Sequence, residues 1–487
     1  MAFTQRLKSA PLSPIAVFFA TSFFILSGQI LLKAEFLFSE QPILDDIQIL
    51  RRAIVENYWY LSRPDVLLFE IIVKEFGVLY GKIVYLMLFS VGSGLWALAI
   101  FSMTRSVLFS VLISVAALQS EYTFIYPIFM VASYGLLFLP LLAASIIMIA
   151  WIARLHPNHQ TGIKYWIAIW LTVIATIIGS ILNPNAILVP VVILSALGWL
   201  IYSGCGVRDS IGPLLGLVVA GAAFYIYVYI VFDHPYANME GRVMYNPLDI
   251  IKNAISLLEQ TIWSAFDARI ATGALTTEPN YLFGLLIAGL LLALLWACWK
   301  MRKDKVILLF AFLCAALIAA SIAPLSPLTR SHLWHYFLHG MVLITIAGVL
   351  LRSLSPVLGY AFALGMIFFG VTTNLQAVPT YSAAYAGQEE LARFIRQTES
   401  SWPRTARVFV FTDRVALGRT GVTQPFRSQS LFELEAGRSI ADFRIVITPQ
   451  TGIAELPEIQ EADPDRLLFK WYGEDPSPTL INSDDLR

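Results

Sequence analysis

Asp45 and Asp46 stand side by side shortly after the first apolar block, ahead of Arg51 and Arg52, Tyr58-Trp59-Tyr60 and Ser62-Arg63-Pro64. Adjacent carboxylates can take a proton from a hydroxyl as general base. A nearby guanidinium or metal ion can meet the charge that gathers on a leaving phosphate. An aromatic residue offers a platform for a ring. Together these residues suit transfer of a sugar from a lipid-phosphate carrier, in which the sugar carbon takes on oxocarbenium character as in glycoside hydrolysis. The competing reading is an amphipathic interfacial helix with a solvated polar face, Asp45 serving as its N-terminal cap.

A second stretch carries similar chemistry: Arg330-Ser331-His332-Leu333-Trp334-His335-Tyr336. Arg330 is a permanent cation that suits a phosphate. On a helix His332, His335 and His339 would share one face, but no carboxylate accompanies them locally, and interfacial histidines are more often hydrogen-bonded packing residues than metal ligands. Glu121 either faces the same cavity from a short outer loop or caps a helix. Asp233, His234, Arg242, Asp267 and Arg269 either shape a groove or form a solvated surface. The sequence has no phosphate-cradling glycine loop, no Cys-x-x-Cys pair and no serine nucleophile elbow.

These residues need a scaffold, and composition names it. The chain has 487 residues, 57% hydrophobic and 14% charged, whereas soluble domains carry about 25% charge. The apolar residues fall in uncharged blocks of the length that crosses a hydrocarbon core of about 30 Å. We expect a mainly α polytopic membrane protein of about eleven transmembrane helices. The spans are Pro14–Leu32, Ile83–Thr104, Ser106–Gln119, Gly135–Ile152, Tyr165–Leu182, Ala186–Tyr202, Ile211–Phe232, Tyr281–Trp299, Val306–Ile322, Phe337–Leu351 and Ser355–Thr373. Ser106–Gln119 is short. The first block follows Arg6 and Lys8 and lacks a small-x-small cleavage site, so it reads as a retained anchor.

Lys and Arg near the helix ends orient the chain with its N-terminus in the cytoplasm. The inner pieces then hold Arg6, Lys8, Arg105, Arg154, Lys164, Arg208, the basic Lys300–Lys305 cluster and Arg352, and their only acids are Asp209 and Asp304. Three outer segments are large enough to build something, 34–82, 233–280 and 325–336, with amphipathic helices on the outer face. Arg51, Arg52, Arg63, Lys74 and Arg330 lie outside, against the positive-inside rule, which points to specific work for them.

Hydropathy collapses after Thr373. Residues 1–375 read as the transmembrane catalytic unit and 376–487 as a small extracytoplasmic α/β domain. In the latter, Tyr385–Thr398 has helical periodicity, and Arg407–Thr412, Phe443–Thr448 and Arg466–Tyr472 read as strands. Cys205, Cys298 and Cys314 lie in or beside apolar segments and imply no disulfide framework. The net charge of zero gives no basic field for nucleic acid.

The order of anchor helix, Asp45-Asp46, Trp59, Arg63-Pro64 and then Glu75-Phe76-Gly77 resembles the GT-C superfamily of membrane glycosyltransferases. One branch, the protein mannosyl and lipid A aminoarabinose transferases, has an acidic pair, a Lys-Pro-Pro and a Phe-Gly. The O-antigen glucosyltransferase-like branch has Asp-Asp, Arg, Trp and Gly-Arg-Pro. Ser62 stands where the second branch has Gly, and Asp65 where the first has its second Pro. The late loop is similar to a Ser-Lys-Leu-Pro-His-Tyr stretch of the mannosyl branch, with His332 for Lys and Trp334 for Pro.

The resemblance implies an inverting transfer from a polyprenyl-phosphate sugar to an acceptor hydroxyl, on a lipid, glycan or protein, at the outer face of a bacterial inner membrane. It implies Asp45 as base or acceptor contact, with Asp46 sharing that role or holding a divalent cation such as Mg or Mn. Arg63, Arg330, His332, His335 and Tyr336 would bind the donor phosphate. Arg51, Arg52, Trp59 and Glu121 would line the substrate site. No other cofactor is implied. The alternatives are an O-antigen-type polymerase or ligase, and a lipid or glycan transporter.

Overall fold

The computed structural model describes residues 13–43, 45–56, 64–118, 246–266, 335–449, 465–473 and 475–481, with scattered positions between 292 and 300. Those residues are mainly helical, with one small sheet. The helices are α1 (Ser13–Leu37), α2 (Asp45–Ile54), α3 (Pro64–Phe76), α4 (Val78–Thr104), α5 (Val107–Leu118), α6 (Pro247–Phe266), α7 (His335–Leu354) and α8 (Pro356–Thr398). Then come β1 (Arg407–Thr412), α9 (Pro425–Ala436), β2 (Asp442–Ile447), β3 (Arg466–Trp471) and β4 (Thr479–Leu480).

Among the described residues three helices are long and apolar enough to cross a bilayer: Pro14–Leu37, Val78–Thr104 and Pro356–Ser401. Val107–Leu118 and Met341–Leu354 are shorter apolar helices. The expected spans from Gly135 to Phe232 and Val306–Ile322 lie outside the described residues, and of Tyr281–Trp299 only scattered helical positions from 292 onward are described. Helix α1 packs along α4 so closely that a Cβ added at Gly94 would stand 2.4 Å from Ser22 Oγ. Small residues let apolar helices approach in this way when no hydrophobic drive separates them from lipid. Trp96 Nε1 donates to Thr345 Oγ1 at 3.2 Å, joining α4 to α7 across a buried contact.

Two turns gather at one end of this bundle. Arg352 donates to the Thr104 carbonyl at 3.2 Å and lies over the Phe109 ring, while Ser106 and Tyr360 share a hydrogen bond of 3.2 Å. From Thr104 back to Lys82, α4 rises about 33 Å, close to a hydrocarbon thickness. At that far end lie α2, α3 and the sheet-bearing unit. The first loop and the C-terminal unit therefore share one side, and the basic turns Arg105 and Arg352 share the other.

Helix α8 departs from the hydropathy reading. It does not stop near Thr373 but runs unbroken for 43 residues to Thr398, through Pro379 and across the expected boundary at 375–376. Beyond Thr373 the chain is rich in Ala, Glu, Gln and Arg, which favour helix whatever their polarity. The apolar span and the helix of the C-terminal unit are thus one rod of about 64 Å.

The sheet order is β2-β1-β3-β4, with β1, β2 and β3 parallel and β4 antiparallel to β3. On one face Val408, Val410, Phe443, Ile445, Phe469 and Trp471 pack under α8 and α9. Trp402 stacks on Phe432 at 5.7 Å within that core. Ile47 of α2 belongs to the same cluster, so the first loop is built into the C-terminal core.

Gly77, between α3 and α4, has φ +89° and ψ 167°. Only glycine adopts that region readily, and nothing lies within 4 Å of an added Cβ, so the demand is purely conformational. Gly77→Ala is expected to cost about 1–3 kcal/mol, seen as a lower unfolding temperature of the detergent-solubilised protein. An unchanged temperature would contradict this backbone account.

Candidate functional site

Asp45 is the first residue of α2, and Asp46 follows it with its side chain wholly buried. The Asp46 N–H donates to the Ile43 carbonyl at 3.0 Å, closing the turn that starts the helix. The pattern Ile47, Leu50, Ala53 lays the apolar face of α2 against the C-terminal unit; all three are buried. The carboxylate of Asp46 acts electrostatically on Lys82 of α4 and on Tyr385 of α8. Three chain segments far apart in sequence thus meet at this aspartate.

Lys82 organises the meeting. Its Nζ donates to the carbonyls of Phe36 at 2.9 Å, Ser39 at 2.8 Å and Gln41 at 3.0 Å. An ammonium has three protons, and backbone oxygens take all of them. Phe36 contributes one of the carbonyls that the end of α1 leaves without an intrahelical partner, where a cation is favourable. The same ammonium stands 5.4 Å from the centre of the Tyr385 ring, in cation–π reach.

Helix α8 grips the segment from the other side. Gln388, wholly buried, donates to the Pro42 carbonyl at 2.7 Å and to Gln41 Oε1 at 3.3 Å. Tyr385 packs 5.2 Å from Phe36, and Ser382 Oγ donates to Glu35 at 2.8 Å. The segment that leads into Asp45-Asp46 is consequently held by α4 and α8 together. Lys33, at a kink in α1, and Glu70 of α3 are buried as well.

Lys82, Gln388, Tyr381 and Tyr385 were not singled out from the sequence. A signal was present. Tyr381, Tyr385 and Gln388 recur at i, i+4 and i+7, one face of a helix. Lys82 is an ionisable residue at the head of an apolar span, and such residues call for a partner or a function.

The expected site residues fall into four groups. Asp45 and Asp46 start α2, on the side of the bundle where the C-terminal unit lies. Arg51 points the other way along that helix, into an ion pair with Glu433 of α9, and also meets Glu56 at 2.7 Å. Arg52 is half-buried beside it. His335 and Tyr336 head α7, about 25 Å along the helix from Arg352, at the end that also carries Lys82. Trp59, Arg63, Glu121, Arg330 and His332 lie outside the described residues. Among the described residues no three His, Cys, Asp or Glu side chains gather as a metal site.

Glu433 is only 3% exposed and also accepts from Gln429 Nε2 at 2.9 Å. Removing its cation leaves a buried carboxylate uncompensated. Arg51→Met is expected to destabilise the contact between α2 and α9 by about 3 kcal/mol, exposing the C-terminal unit to limited proteolysis. Glu433→Gln in the same background should restore most of the resistance; equal cleavage of both variants and the parent would contradict the pairing.

The chain matches no protein-family model, and no curated protein is significantly similar to it.

Proposed function

We propose that this chain is an inverting membrane glycosyltransferase of the GT-C type. In this reading it spans the bilayer about eleven times, with its N-terminus in the cytoplasm of a bacterium. Its first loop and its C-terminal unit work at the outer face of the inner membrane. The substrate is a sugar carried on a polyprenyl phosphate, and the acceptor is a hydroxyl of a lipid, glycan or protein.

One observation carries the reading: the Asp45-Asp46 turn is braced by α4 and α8 at the end of a bundle of apolar helices, where lipid headgroups and water would meet. An amphipathic helix that merely lay on the membrane would need no such brace. Asp45, the first residue of α2, takes the proton of the acceptor hydroxyl. Asp46, buried within electrostatic reach of Lys82 and Tyr385, holds Asp45 in place. The acceptor oxygen forms its bond to the anomeric carbon from the face opposite the phosphate. The bond from that carbon to the phosphate oxygen breaks, and the polyprenyl phosphate leaves with the electron pair. Configuration at the carbon inverts.

Arg63 and Arg330, with His332, His335 and Tyr336, meet the charge on the phosphate. Arg52, Trp59 and Glu121 line the sugar and acceptor paths. A divalent cation, Mg or Mn, would have Asp46 as its ligand, but no converging set of ligands accompanies Asp46 among the described residues, and the steps above use the chain's own groups.

The placement of Lys33 and Lys82 supports an enzyme over a transporter. A transporter commonly keeps its ionisable residues near the bilayer midplane, whereas these two lysines lie at one end of α1 and α4. Mass spectrometry of cell-envelope glycans from strains with and without the gene tests the reading. Loss of one sugar substituent from an otherwise complete glycan is expected. An unaltered glycan profile, or loss of polymer with normal repeat units, would overturn it.

A further inference from the structure

From β1 the chain passes through α9 to β2 on one side, while β3 pairs with β1 on the other. The segments leaving the carboxyl ends of β1 and β3 therefore part. Such a switch point, at the carboxyl edge of parallel strands, is where open α/β sheets form ligand crevices.

A cavity of about 680 Å³ opens there, lined by Asp413, Lys470, Tyr472, Gly473, Asp475 and Thr479, with Pro449 as an apolar wall. Its volume lies within the range of about 300–1,000 Å³ typical of small-molecule sites. Asp413 directly follows β1 and Tyr472 directly follows β3.

The rim is rigid. Arg414 donates to the carbonyls of Asp475 at 2.7 Å and Gly473 at 3.3 Å and to Glu390 at 2.7 Å, and lies 4.1 Å over the Trp471 ring. Trp471 Nε1 donates to the same Asp475 carbonyl at 2.9 Å, and the Gly473 N–H to Asp413 Oδ1 at 3.3 Å. Arg414 is thus committed to holding the loop. Tyr472 is 8% exposed, and its buried hydroxyl has no hydrogen-bond partner among the described residues. Native structures rarely leave such a group unanswered. Burial and the Asp413 carboxylate push its phenol up to about 12, so it remains a proton donor at any physiological pH.

We infer that this crevice binds an uncharged saccharide, its vicinal hydroxyls donating to Asp413 and Asp475, accepting from Tyr472, and its apolar ring face resting on Pro449. Two carboxylates against one lysine repel phosphates and other anions, which excludes the carrier phosphate as its ligand. The lining offers both acceptors and donors, which the hydroxyls of such a ligand can use. The inference goes beyond the transfer reading and does not need it.

The full-length protein in a detergent without a sugar headgroup tests it by saturation-transfer difference NMR. The probes are glucose, mannose, galactose and N-acetylglucosamine, as free sugars and as short oligomers. At least one should give a saturable signal, with affinity falling about tenfold or more in Asp413→Asn and in Tyr472→Phe. Tyr472→Phe keeps the ring and its packing, so loss of binding there is not loss of fold. No signal from any probe, unchanged affinity in Tyr472→Phe, or displacement of the sugar by inorganic phosphate or a divalent cation at the same site would overturn it.

Discussion

Asp45→Asn should lower transfer from a labelled polyprenyl-phosphate sugar by about 10²–10⁴-fold, the usual contribution of a general base, and leave the unfolding temperature where it was. The amide keeps the size and hydrogen-bonding reach of the side chain but cannot take the acceptor's proton. Asp46→Asn should lower transfer as well, yet with a lower unfolding temperature, because Asp46 is wholly buried and its charge balances Lys82. The two neighbours are distinguished by that difference. Full activity in both variants would remove this mechanism; loss of fold in Asp45→Asn would reassign Asp45 to the helix cap.

The second large effect belongs to a residue that touches no substrate. Lys82→Met leaves the carbonyls of Phe36, Ser39 and Gln41 without their donor and Asp46 without its counter-charge. Breaking a buried charged group from its partners costs about 3–5 kcal/mol, so the solubilised protein should unfold at a distinctly lower temperature. Protein that stays folded should transfer sugar on the order of 10²-fold more slowly, the loss that a misplacement of about 1 Å produces. Gln388→Leu, which releases only Pro42 and Gln41, should give a smaller loss of the same kind. A Lys82→Met protein as stable and active as the parent would show that the brace does not position the aspartates.

The strands show how far local pattern reaches. Arg407–Thr412 forms as expected, and the other two expected strands differ from their limits by a residue at most at each end: Asp442–Ile447 against Phe443–Thr448, and Arg466–Trp471 against Arg466–Tyr472; the short β4 is not among the expected strands. Short β-branched and aromatic runs between turns carry their own signal. Helix α8 shows where it fails. Hydropathy measures where a helix prefers to sit, not where its hydrogen bonds end, so the fall after Thr373 marks a change of surroundings along one continuous helix.

The Asp45-Asp46 pair was legible because two adjacent acids beside an apolar block are uncommon enough to ask for a reason. Its brace was not, because Lys82 and Gln388 act through contacts spanning more than forty and more than three hundred residues of sequence. Neither has a local pattern that names its partner. The arginines expected outside fall between these cases. Their number there led us to expect specific work of them, and for Arg51 the structure shows an ion pair that ties α2 to Glu433 of the C-terminal unit.

Transfer by the purified wild-type protein in liposomes, supplied with a polyprenyl-phosphate sugar labelled in the sugar, tests the central claim most directly. Label should pass to an acceptor with inverted anomeric configuration, one polyprenyl phosphate being freed for each sugar moved. Label that remains on the carrier across a panel of cell-envelope acceptors, or that crosses the bilayer without changing partners, would contradict it.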